Sequence, residues 1–219
     1  MINLLDYLQE HLSPHFIHDA AEQLGENEVS VSKAIRGLSA AFLAGMLQKA
    51  EETAAMEQVF GHLRLFPTEV SDHPERLLVP GNLAHNDPKD AAGHFAGYLF
   101  GSKVPALINS TAAFSGAKSS SISFLLGVAG SLVMSVLAKR IRDGECNVSG
   151  LFNILNGNQE RITTALPSGL GSLLGLAQQS QIVEAPEPSA VLGSGWSRAL
   201  MLLLVFGIAM LFGMRQCGS

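Results

Sequence analysis

Charge is scarce in this chain. Of 219 residues only 15% are charged, against about 25% in an ordinary soluble domain. Aromatic residues are few at 6%, with a single tryptophan. A β-sandwich or barrel needs many aromatic and β-branched strand residues, so that class is disfavoured. The two cysteines, Cys146 and Cys217, build neither a disulfide framework nor a metal site. There is no G-x-S-x-G elbow, P-loop or dinucleotide fingerprint. The opening MINLLDYLQEHL carries Asp6 and Glu10 and lacks the basic start of a secretory signal. Basic residues are rare in the first 76 positions, five against twelve acidic. That balance repels a phosphate backbone, so no nucleic-acid partner is expected.

What is present is apolar and small: 47% hydrophobic residues, 22 glycines and a mean hydropathy of +0.26. This composition predicts an all-α fold, a multi-helix bundle whose short helices are broken by glycine and proline. Asn3, Ser13-Pro14 and Asn27 read as helix starts and Gly25 as a stop. A long helix follows over 28–49, with Val31, Ala34, Ile35, Leu38, Phe42 and Met46 at helical spacing. Gly37, Ala41 and Gly45 recur every four residues on a second, narrow face, where another backbone can come close.

A helical region over 1–66 is followed by a long connection over 67–88, rich in proline and polar residues. A second helical region over 89–177 packs with the first. Its longest helix is centred on ISFLLGVAGSLVMSVLA. Ser119, Ser120 or Ser121 would cap it, and Lys139, Arg140 and Arg142 close it, either to suit the helix dipole or to face acidic lipid or a partner protein. It reads as a buried helix, with a second membrane span as the alternative. The order of short helix, glycine, long apolar helix and short helix at 16–65 recurs at 103–156, which points to a duplication.

Residues 178–195 form a tether rich in proline and small residues. Beyond it, 196–215 reads as a single transmembrane helix. Residues 199–214 carry no charge, Arg198 and Arg215 bracket them, and Trp196 stands where an interfacial aromatic belongs. At 1.5 Å per residue, about 19 residues just cross a hydrocarbon core of about 30 Å.

The candidate metal ligands are His11, His15 and His18. Spacings of four and three put ligands on one helical face, and Asp19 or Glu22 could complete a set. The Ser13-Pro14 restart interrupts that face, so no metal site is expected, and no cofactor. Cys146 precedes a helix start, but Glu145 beside it opposes thiolate formation.

The stretches INLLDYLQEHLS, the Leu24-Gly25 stop, VSKAIRGLSAAFLAGMLQKA, VSGLFNILNGNQERI and LPSGLGSLLG together resemble the YidB-like bacterial family, the domain of unknown function numbered 937. The resemblance spans about 1–176, with a gap over 67–88. It implies an all-helical, partly homeodomain-like fold and no established activity, so no catalytic residue is carried over. Some relatives place an OmpA-like peptidoglycan-binding domain after a transmembrane helix. The sequence stops at Ser219, so wall attachment is not expected here.

These readings lead to a bacterial protein held at the inner membrane by one pass, with the bulk of the chain cytoplasmic. Its expected partners are membrane lipid and either another protein or itself. The expected role is interaction or scaffolding without catalysis. The alternatives are a cell-envelope enzyme with an unrecognised site, and a soluble oligomer whose C-terminal helix is a packing element.

Overall fold

The computed structural model describes residues 3–79 and 87–174. The tether and the anchor residues Trp196, Arg198 and Arg215 lie outside them. The described residues are helical, with no strand among them. In chain order the helices are α1 (Leu4–Glu10), α2 (Pro14–Leu24), α3 (Glu28–Lys49), α4 (Thr53–Arg64), α5 (Glu69–Asp72), α6 (Pro88–Phe100), α7 (Val104–Ser115), α8 (Ser119–Arg142), α9 (Val148–Gly157), α10 (Gln159–Ala165) and α11 (Leu170–Leu174).

Most starts and stops follow from local chemistry. The Asn3 side chain accepts from Asp6 N, Ser13 Oγ from Phe16 N at 3.1 Å, and Asn27 Oδ1 from Ser30 N at 2.7 Å. Each satisfies one N–H that a helix start leaves orphaned. Gly25 ends α2 at φ 61°, the left-handed region that costs glycine little.

The long helices α3 and α8 are the interior. In α3 every residue from Gly37 to Leu47 is buried, and in α8 every residue from Leu125 to Ala138. α8 is the one described helix long and apolar enough to cross a membrane, and 89% of its apolar window is buried inside the bundle. Its apolarity is therefore that of a core helix, covered by α3, α4, α5, α6 and α7.

None of the three candidate serines caps α8. The cap position is Lys118, whose ammonium cannot accept a hydrogen bond. A distant carboxylate substitutes: Glu26 Oε1, in the α2–α3 turn, accepts from Lys118 N at 2.9 Å and from Ser121 Oγ at 2.8 Å. Glutamate three residues into a helix does the same in a capping box; here it reaches across the fold.

The connection over 67–88 is also more structured than its composition suggests. As far as Val79 it carries α5 and a 3₁₀ turn, Pro74–Leu77, and buries Val70, Leu77 and Leu78. Ser71 N donates to Ser135 Oγ at 3.0 Å, and that hydroxyl donates to Thr68 O at 3.0 Å. All the described helices lie within one compact unit, Met1–Gln178.

The two stretches that echo each other in the sequence, 16–65 and 103–156, hold α2–α4 and α7–α9 in the same order. Moving 91 positions along the chain carries Tyr7-Leu8 to Tyr98-Leu99, Pro14 to Pro105, Gly25 to Gly116 and Ser30 to Ser121. After one extra residue, Phe60 and Leu63 become Phe152 and Leu155. Helices α1–α5 thus recur as α6–α10. Part of the packing is exchanged between the halves: α4 and α5 pack on α8, while α9 and α10 pack on α3. The exchange is imperfect, because α7 leans on α3 and α2 has no comparable contact with α8.

Candidate functional site

A cleft of ≈ 490 Å³ opens where the C-terminal ends of α3 and α6 meet. Its aromatic side is Tyr98 and Phe100. Its polar rim is Gln48, Lys49, Glu51, Glu52 and Lys103, and Leu174 closes one end. Lys49 holds its ammonium 5.2 Å from the Tyr98 ring centroid, within cation–π range. The Tyr98 hydroxyl donates to Ala55 O at 3.3 Å. Burial, and then the charge of Glu52, push the phenol above its ordinary pKa, so it stays a neutral donor. Gln48 donates to Leu174 O at 2.5 Å and fixes α11 against α3. Ammonium, carboxylate, amide and neutral phenol around an aromatic wall suit the binding of a polar segment.

The equivalent groups around Tyr7, in the first half, pair with one another. There Arg140 lies over Tyr7 at 5.0 Å, the His11 ring stands edge-on to Tyr7 at 4.8 Å, and Lys139 pairs with Asp72 at 2.7 Å. The positions equivalent to His11 and Lys139 are Ser102 and Gln48. A short hydroxyl replaces the ring, and a neutral amide replaces the ammonium.

The histidines singled out in the sequence do not converge. His11 Nδ1–H donates to Tyr7 O at 2.9 Å, His15 pairs with Asp19 at 2.8 Å, and His18 with Glu28 at 2.8 Å. Each imidazole takes its nearest acceptor, and the Glu28 carboxylate raises the pKa of His18. Among the described residues no group of three or more His, Cys, Asp and Glu is placed to hold a metal ion.

The Gly37, Ala41 and Gly45 face is buried. A Cβ added at Gly45 would stand 2.7 Å from Phe100 Cε1, and one at Gly37 would stand 3.0 Å from Pro167 Cγ. What comes close is therefore a ring in each case. The basic group at the end of α8 is used internally: Lys139 pairs with Asp72, Arg142 donates to Phe66 O at 2.8 Å and Thr68 Oγ1 at 3.0 Å, and Arg140 covers Tyr7. Cys146 is a free, buried thiol whose pKa burial raises.

Glu26, Asp72 and the Lys49–Tyr98 pair carry no motif. Only the last has a signal, the 91-residue echo that pairs Tyr7 with Tyr98 and Lys49 with Arg140.

The family model described as "Bacterial protein of unknown function (DUF937)" matches residues 6–140. The chain belongs to that family. No curated protein and no solved structure matches this DUF937 member. The family match runs from α1 into the last turn of α8, so it takes in both interior helices and the Tyr98 side of the cleft.

Proposed function

We propose that this DUF937 protein is a bacterial membrane-tethered scaffold. Its helical bundle works by binding, without catalysis of its own, and residues 196–215 hold it at the inner membrane with the bundle on the cytoplasmic side. The observation that carries the reading is a division of apolar segments. α8, the one described helix that could span a bilayer, is consumed by the interior of the bundle. Residues 199–214 are a second uncharged run, bracketed by Arg198 and Arg215 and preceded by Trp196, the arrangement of a span with interfacial anchors. The free, buried thiol of Cys146 suits a reducing compartment. The cleft beside Tyr98 offers a polar segment of a partner an aromatic wall and charges of both signs.

The test is fractionation. The full chain is expected in the membrane pellet after carbonate washing, and a chain truncated after Pro188 in the supernatant. A full chain that stays soluble and monomeric without detergent overturns the anchor. Sidedness is read with a membrane-impermeant thiol reagent on intact spheroplasts. Cys217 is expected to label, and a cysteine placed at exposed Ser102 only after permeabilisation. Labelling at position 102 in intact cells puts the bundle outside.

A further inference from the structure

We infer that this bundle is built to accept a second copy of its own chain by exchange of halves. The basis is where its stabilising contacts fall. α8 of the second half takes its cap from Glu26, its ion pair from Asp72 and the hydroxyl bridge of Ser135 from the Thr68–Ser71 turn, all in the first half. α3 of the first half is covered in return by α9 and α10. α3 is thus clothed largely by the second half, and α8 by helices of both, with α3, α4 and α5 of the first half beside its own α6 and α7; residues 80–86 are the stretch of sequence that joins the halves. These contacts are geometrically the same whether the complementary half belongs to the same chain or to another. Only effective concentration favours the closed monomer, and for a short connection that advantage is on the order of millimolar. A duplicated arrangement with partly exchanged packing therefore carries a ready interface for domain exchange. Co-tethering on one membrane would raise the local chain concentration, but the exchange needs no membrane.

Cross-linking between full-length chains separates the outcomes. Two differently tagged versions carry Cys146→Ala and Cys217→Ser. To these are added either Asp72→Cys/Lys139→Cys, which joins the halves, or His18→Cys/Glu28→Cys, which lies within one half. They are mixed in denaturant, refolded in detergent and treated with a short bis-maleimide. The first pair is expected to give dimers carrying both tags. Their share should rise about tenfold for a tenfold rise in chain concentration while they remain the minor species. The second pair should link only within a chain. A second half-spanning pair, Ser71→Cys/Ser135→Cys, read by disulfide formation, guards against loss of the first variant through misfolding. Half-spanning pairs that link only within one chain at every concentration overturn the inference. So does equal interchain linking by the His18/Glu28 pair, which marks non-specific association.

Discussion

Arg140 lies over the ring of Tyr7, 5.0 Å from its centroid, and the two come from different halves of the chain. The same relation recurs with the halves reversed, as Lys49 over Tyr98. A cation–π contact of this kind contributes about 0.5–2 kcal/mol. A double-mutant cycle with Tyr7→Leu and Arg140→Met is expected to show a coupling in that range by chemical denaturation. The cycle at Tyr98 and Lys49 should give a smaller value, because the open cleft leaves that pair better solvated. Zero coupling at both sites would mean the rings are simply packed.

The helical glycines divide into two classes, buried and exposed, that mutate in opposite directions. A Cβ at Gly130 would sit 2.5 Å from Phe42 Cζ and 3.0 Å from Ala92 Cβ. Gly130→Leu is expected to cost about 1–3 kcal/mol by overpacking, and so is Gly45→Leu. Gly93 and Gly97, also helical, have nothing within 4 Å. Alanine there should stabilise by about 0.5–1 kcal/mol through helix propensity. Thermal melts that rank all four alike would show that the close approaches are not rigid.

Glu26 links stability to acid. Hydrogen bonds from Lys118 N and then Ser121 hold its carboxyl below the ordinary pKa. A depressed folded pKa contributes stability that is fully present above the unfolded carboxylate range. That stability is lost as the pH falls through the folded value. Glu26→Gln should lower stability at neutral pH by about 1 kcal/mol, the scale of a lost helix cap. The gap to wild type should narrow as the pH falls below the ordinary glutamate range and through the depressed folded value. A gap that persists unchanged in acid would assign the loss to packing.

Cys146 tests the accessibility of the interior. Burial, reinforced by Glu145 and opposed by Arg140, raises its thiol pKa, so little thiolate exists at neutral pH. In a Cys217→Ser background a soluble disulfide reagent is expected to react with it only on unfolding. Prompt reaction in the native state at pH 7 would point to a reactive thiol and revive a chemical role for that position.

The fold was readable where structure is local. Asn3, Ser13-Pro14, Gly25 and Asn27 are caps and stops whose chemistry acts within four residues, so the sequence displays them directly. The paired long helices were readable from unbroken apolar and small residues. What the sequence hid are contacts made across the repeat. Ser119, Ser120 and Ser121 are good cap formers, yet Glu26 wins because the α2–α3 turn delivers an anion to Lys118 N. The stretch after Pro67 looks like a linker because its three buried apolar side chains, Val70, Leu77 and Leu78, are too widely spaced to form a periodic face. The cleft is illegible for the same reason, since Lys49 and Tyr98 meet only when α3 and α6 do.

Both ends of α8 are fastened to the other half, by Glu26 at its start and by Phe66, Thr68 and Asp72 at its finish. A duplicated chain ordinarily invites stepwise melting, one copy at a time. Here loosening of the first copy takes α3, α4 and α5 off α8, and loosening of the second takes α6 to α10 off α3, so the bundle is expected to melt as one cooperative unit. Calorimetry should record a single transition whose van't Hoff and calorimetric enthalpies agree. The slowest amide protons of α3 and α8 should exchange only through global opening, at the same free energy in both helices.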